Sequence, residues 1–180
     1  WAKARGLPRT EGHRQGAKTV ERIARFVAQE KLFPYLTVFA FSTENWDRPK
    51  KELDFLFFIF ENFAREHLEE LVQNGVRLRI LGDISPFPES LREALEAAVE
   101  KTRGGKTLVF TVALNFGGRW DVLFAAKKAV ALAWEGKLRP EDLTLERFRE
   151  LLPGGDLPDP DLIIRTGGHQ RLSNFFLFEA

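Results

Sequence analysis

Short apolar runs alternate with stretches of helical spacing along the whole chain, and this alternation restricts the fold more than any other feature. Residues 36–41 (Leu-Thr-Val-Phe-Ala-Phe) are almost continuously apolar, as a strand buried on both faces must be. Further strands are predicted at 77–81, at 108–114, at 162–164 and from Asn174 to Phe178. Helical spacing covers 14–31, about 49–73, 88–103, the stretch from the Asn115–Asp121 turn to Trp134, and 145–152. Strands that take turns with helices imply an α/β fold, with a mostly parallel central sheet flanked by helices.

A chain of 180 residues is expected to form one domain with a sizeable core. Lysine plus arginine is 27 and aspartate plus glutamate is 26, so no strong basic field points to nucleic acid. The absence of cysteine excludes disulfides, thiolate metal sites and cysteine nucleophiles. A reducing, cytoplasmic home is compatible with that usage. No apolar run reaches the length of a membrane span. A start at Trp1 with no methionine suggests a piece of a longer polypeptide.

The chain holds 17 phenylalanines against one tyrosine, and some surface must absorb them. In the 49–73 helix, Leu53, Leu56, Phe57, Phe60, Phe63, Ala64, Leu68 and Leu71 form one stripe. Phe55, Phe58 and Ile59 make a second greasy face in the first half only. Either that half is buried between two layers, or it walls an apolar pocket or a dimer contact.

Three predicted strand-to-loop junctions carry polar, glycine-bearing sequences: 42–48, 115–121 and 165–174. Ligands of open α/β sheets bind outside the carboxyl ends of the strands, so the three are expected to converge. In the third, Arg165, Arg171 and Ser173 offer donors suited to phosphate oxygens, and Gly167 and Gly168 let backbone N–H groups approach an anion. The bland alternative pairs those arginines with Asp156, Asp159 or Asp161, which read as loop and cap residues, not as metal ligands. In the first junction, Ser42, Glu44, Asn45, Trp46 and Arg48 could form a lid; alternatively Trp46 covers the core edge and Arg48 pairs with Glu52 one turn on. Arg9 and His13 lie ahead of the first predicted helix, where an anion could meet its positive end or where a solvated basic start would suffice. His13, His67 and His169 are too scattered for a zinc site, and His67 reads as a packed or boundary residue. No Walker pattern or GxGxxG occurs.

Four ordered segments go further. Trp1-Ala-Lys with Gly12-His13, then Phe41-Ser-Thr-Glu-Asn-Trp-Asp-Arg-Pro49, Asn115-Phe-Gly-Gly-Arg-Trp-Asp121 and Arg165-Thr-Gly-Gly-His-Gln-Arg-Leu-Ser-Asn174, together resemble the cis-prenyltransferase family, most closely its bacterial undecaprenyl diphosphate synthases. The resemblance spans essentially the whole chain. It implies a magnesium-using homodimer that extends an allylic diphosphate, commonly farnesyl diphosphate, with isopentenyl diphosphate in cis geometry. The product would grow in an apolar tunnel beside the sheet, serve as a cell-wall lipid carrier and leave through transient membrane contact. The resemblance assigns Asn45 to assisting proton removal. It assigns Ser42, Thr43, Glu44 and Trp46 to the substrate loop, and Arg165, Arg171, Leu172 and Ser173 to the isopentenyl diphosphate site, with Arg48 reaching in. Trp1, Arg9 and His13 fall near the allylic diphosphate.

There are departures. The family's Asp-Gly-Asn-Gly-Arg segment, whose aspartate is linked to magnesium, would precede Trp1, and a second magnesium-linked glutamate would follow Ala180. Metal ligands are therefore expected outside these residues, and the chain alone is expected not to be competent. His169 stands where a glutamate is common, and Phe116 where a tyrosine is usual. The alternative reading is a non-catalytic binding subunit of the same family, although such a subunit would be expected to lose the substrate-loop residues kept here.

Overall fold

The computed structural model describes residues 1–180. One sheet contains β1 (Tyr35–Ser42), β2 (Val76–Leu81) and β3 (Leu108–Phe116), in the order β1-β3-β2 with both pairs parallel. The last strand in sequence therefore lies in the middle. Leu108, Phe110, Ala113, Leu114 and Phe116 of β3 are all buried, as a strand covered on both faces must be. Tyr35 pairs with Val109, and Val76 with Leu108. The strands thus begin level and run the same way, so Ser42, Leu81 and Phe116 deliver their loops to one rim.

Six helices connect and cover the sheet: α1 (Arg9–Glu30), α2 (Lys50–Glu66), α3 (Leu68–Gln73), α4 (Glu89–Thr102), α5 (Gly118–Trp134) and α6 (Leu145–Leu151). Pro8, Pro49 and Pro88 stand immediately before α1, α2 and α4. Helix starts tolerate proline because the first N–H groups have no intrahelical partner. Ala24, Val27 and Ala28 of α1, Leu56 and Ala64 of α2, and Leu91, Ala94, Leu95 and Ala98 of α4 join Phe41, Leu78, Leu108 and Phe110 in the main core. Buried Thr102 ties α4 to β2: its hydroxyl donates to the Ala98 carbonyl (2.7 Å) and accepts the Leu78 N–H (3.0 Å). A smaller cluster of Ala125, Ala129, Leu138, Leu151 and Leu152 joins α5 to α6.

The α/β, parallel-sheet reading holds, with three differences. Helix α1 starts at Arg9, so Arg9 and His13 lie within it and not ahead of it. The expected 49–73 helix breaks at His67, which leaves helical geometry (φ −99°, ψ 2°) and reaches Glu21 of α1. The expected strands at 162–164 and 174–178 do not form. Leu162 and Ile164 stand about three-quarters exposed, and prolines 158 and 160 just upstream lack the N–H groups a ladder needs. Ser173, Asn174 and Phe176 have φ of 53°, 62° and 45°, left-handed values that no strand contains. Phe176 is buried against Phe116 instead of extending the sheet.

Candidate active site

The loop leaving β1 is built by its own side chains. The Ser42 hydroxyl accepts the Glu44 N–H (3.2 Å), and Asn45 Oδ1 accepts the Ser42 N–H (3.1 Å), closing a capping box around the 3₁₀ turn Thr43–Asp47. Trp46 is an anchor of this loop, not a free lid. Its ring lies 5.3, 5.6 and 5.4 Å from the rings of Phe41, Phe57 and Phe87, and its Nε1 donates to Asn115 Oδ1 (2.8 Å). Asn115 Nδ2 in turn donates to the Asp83 carbonyl (2.7 Å). One asparagine therefore fastens the loops that follow all three strands. Gly82 makes room for this crossing: at φ 123°, a Cβ there would lie 2.0 Å from the Leu114 carbonyl oxygen.

The third polar segment joins the same rim although no strand delivers it. Asn174 Nδ2 donates to Glu44 Oε1 (2.6 Å), its Oδ1 accepts the Arg119 N–H (2.9 Å), and its carbonyl accepts the Gly118 N–H (2.6 Å). A Cβ on Gly117 would meet Asn174 Nδ2 at 2.5 Å and Thr43 Oγ1 at 2.8 Å, so three distant segments close over that glycine. Burial alone would push the Glu44 carboxyl up, but hydrogen bonds from Ser42, its own backbone, Asn174 and Thr43 hold it below the usual range. Arg165 donates to Ser173 Oγ (2.7 Å) and to the Arg171 carbonyl (2.9 Å). Neither Arg165 nor Arg171 forms an ion pair. Asp156 is taken by Arg79 (2.6 Å) and Asp159 by Arg149 (2.8 Å), which removes the bland explanation for the two arginines. Arg165, Arg171, Leu172 and Ser173 are all exposed.

A second cationic group gathers where the loop enters α2. Glu52, in the first turn of α2, accepts from His13 Nε2 (3.0 Å) and Arg48 Nη1 (3.1 Å) through Oε1, and meets Arg9 Nη1 (3.7 Å) through Oε2. Partial burial opposes ionisation of Glu52, but the His13 hydrogen bond and the charges of Arg48, His13 and Arg9 hold its carboxyl below the usual range. Arg48 is therefore grouped with Arg9 and His13, not with Arg165 and Arg171. Trp1 is exposed, with the Arg5 guanidinium 4.4 Å from its ring, and Ala2 docks this turn against Gly12 of α1.

Three features complete the surroundings. Phe41, Trp46, Phe57, Phe60 and Phe87 pack their rings together beneath the loop, whereas Phe58 is 58% exposed and Phe55 is half-buried under the Arg14 guanidinium. Asp121 of α5 is buried with neither carboxylate oxygen hydrogen-bonded, and burial together with the Glu179 carboxylate pushes its pKa up to about 8. One group of three metal-capable residues occurs, Glu21, His67 and Glu70, between α1 and the α2–α3 break. Arg25 occupies it, bonding to Glu70 and to Glu21. That guanidinium already neutralises the carboxylates, and a histidine suits magnesium poorly, so the residues do not fit this ion. Glu21 also lies 12 positions along α1 from Arg9, roughly 18 Å by helical rise.

Sequence reasoning found the loops but missed how they are joined. The Arg48–Glu52 pairing was visible as an i,i+4 spacing, but the arrival of Arg9 and His13 at the same carboxylate was not. The bridging roles of Asn115 and Asn174 and the burial of Asp121 left no signal beyond membership of the motifs.

The family model described as "Putative undecaprenyl diphosphate synthase" matches residues 1–180. The isoprenyl transferase of Clostridium perfringens is 44% identical over the whole chain, which spans 71% of that protein. A ditrans,polycis-undecaprenyl-diphosphate synthase of Legionella pneumophila, named as specific for (2E,6E)-farnesyl diphosphate, is 40% identical over 99% of the chain and 75% of its own length. Among solved structures, lavandulyl diphosphate synthase from Lavandula x intermedia, in complex with dimethylallyl diphosphate, superposes with a TM-score of 0.93 at 38% identity, over 99% of this chain and 77% of that one. A probable undecaprenyl diphosphate synthase from Campylobacter jejuni gives 0.79 at 36% identity, over 92% of this chain and 76% of that one.

Proposed function

The chain belongs to the undecaprenyl diphosphate synthase family of prenyltransferases, and from that premise we propose that it condenses an allylic diphosphate with isopentenyl diphosphate in cis geometry. Farnesyl diphosphate is the proposed primer, and polyprenyl diphosphate for a cell-wall lipid carrier the proposed product. The observation that carries this reading is that two separate cationic groups are tied to one loop: Arg9, His13 and Arg48 gathered on Glu52 at its end, and the segment of Arg165, Arg171 and Ser173 joined to its start through Asn174 and Glu44. A condensation of two diphosphates needs two such sites, close together but separate. The farnesyl specificity in the Legionella relative's name and the dimethylallyl diphosphate in the lavender enzyme support an allylic substrate.

In the proposed reaction the allylic C–O bond breaks and its electron pair leaves with the diphosphate. The isopentenyl double bond forms the new C–C bond at that carbon, and a proton then passes from the isopentenyl unit to the released diphosphate. Arg9, His13 and Arg48 offset the charge gathering on the leaving diphosphate. Arg165, Arg171 and Ser173 hold the second substrate, beside Leu172. Asn45 orients the reacting unit: a carboxamide is too weak a base to take the proton itself. Ser42, Thr43, Glu44 and Trp46 hold the loop between the two sites. The magnesium implied by the family has no oxygen-rich ligand set among these side chains, so no step above runs through it. Cytoplasmic residence, homodimer formation and transient membrane contact during product release complete the proposal; no helix is long and apolar enough to cross a membrane.

The test is incubation of the protein, expressed from its complete gene, with farnesyl diphosphate, labelled isopentenyl diphosphate and Mg²⁺. Label in a lipid-extractable polyprenyl product is expected. Label remaining wholly in the aqueous phase would contradict the proposal and favour the non-catalytic subunit, against which the retained Asn45, Trp46, Arg48, Arg165 and Arg171 already argue.

A further inference from the structure

We propose that Glu52 is an exchangeable internal counter-ion: its carboxylate occupies the place of a phosphate among Arg9, His13 and Arg48, yields it to the incoming diphosphate and retakes it as inorganic pyrophosphate departs. This rests on the reading of those cations as a diphosphate site. Both oxygens of Glu52 are engaged, one by His13 and Arg48 together and the other by Arg9. The three donors come from α1 and from the loop ahead of α2, 35 or more positions apart between His13 and Arg48, so no local turn brings them together. What they share is this one carboxylate, whose side chain is only 11% exposed.

The energetics favour exchange over permanent pairing. The guanidiniums of Arg9 and Arg48 held together without an anion repel one another, and the side chain of Arg9, 81% exposed, would be free to leave. Glu52 sits in the first turn of α2, where the helix terminus also favours negative charge. It therefore assembles the site before substrate arrives. A diphosphate brings more oxygens and more charge than a carboxylate, and so wins the arginines. The same competition matters after the C–O bond has broken. A site that held the released pyrophosphate as tightly as the substrate would let product release limit kcat. A carboxylate waiting one side chain away shortens the stay of the product.

Glu52→Gln keeps the shape and one hydrogen-bond acceptor but removes the competing charge. Calorimetric titration of inorganic pyrophosphate into the protein expressed from its complete gene is expected to show binding tightened about ten-fold, the size of one charge-assisted contact. In turnover the same variant should show a lower KM for the allylic diphosphate, a lower kcat and stronger inhibition by pyrophosphate. Glu52→Asp, which keeps the charge, should remain near the wild type. Pyrophosphate binding that is unchanged or weaker in Glu52→Gln overturns the proposal and makes Glu52 a fixed scaffold. An Arg9→Ala, Arg48→Ala double variant separates the two levels. If it binds pyrophosphate as the wild type does, the diphosphate site itself is misassigned and the role of Glu52 falls with it. If it loses binding while Glu52→Gln shows no gain, only the role of Glu52 fails.

Discussion

Asp121 shows how one buried carboxyl couples stability to pH. Folded, it keeps its proton up to about pH 8, whereas an unfolded aspartate releases it near 3.9. Between those values the folded state binds more protons than the unfolded state, so stability falls as pH rises from about 4 to 8. Glu44, Glu52 and Glu70 act in the opposite sense: their carboxyls are held below the usual range, and their contribution is lost only as pH falls below about 4. Asp121→Asn should therefore gain about 1–3 kcal/mol at pH 8 and little at pH 5, read from urea midpoints at the two values. Equal gains at both would show that the carboxyl is not protonated in the folded protein. None of this was legible in the sequence, because Asp121 read as one more polar residue of a turn. The Arg48–Glu52 pair was legible, because its partners lie one helical turn apart.

At the scale of elements, α2 carries the phenylalanine excess on two faces with different fates. Phe57 and Phe60 pack under Trp46 against Phe41, while Phe58 points outward beside a half-buried Phe55. Phe58→Ala should change stability by less than about 0.5 kcal/mol, whereas Phe41→Ala should cost about 3–5 kcal/mol, compared by thermal or urea unfolding. A large loss at Phe58 would mean that something covers that face. The loops show a similar division. Asn174→Ala removes two side-chain hydrogen bonds and leaves alanine at φ 62°, so a loss of about 2–3 kcal/mol is expected. It should also raise KM for isopentenyl diphosphate, since the segment bearing Arg165 to Ser173 loses its tie to Glu44. The apolar runs at 36–41 and 108–114 and the alternation at 77–81 announced β1, β3 and β2, because each is long enough for a strand and places apolar side chains in the core. The runs at 162–164 and 174–178 misled because apolar character does not reveal left-handed backbone or upstream prolines.

At the scale of the whole molecule, parallel strands that begin level send their loops to the same end of the sheet, and that geometry collects the chemistry. Loops after β1, β2 and β3 meet at Asn115, and the 165–174 segment is drawn in through Asn174. Alternating strand and helix patterns made the convergence predictable. The place of Arg48 in the Arg9 group was not, because it depends on Glu52 holding both arginines. The most direct test of two separate diphosphate sites is a steady-state comparison of Arg48→Ala and Arg171→Ala with each substrate varied in turn. Arg48→Ala should raise KM chiefly for the allylic diphosphate and Arg171→Ala chiefly for isopentenyl diphosphate, each by roughly ten- to a hundred-fold for the loss of one charge-assisted contact. Kinetics unchanged in either variant, or both variants raising the same KM, would contradict the assignment.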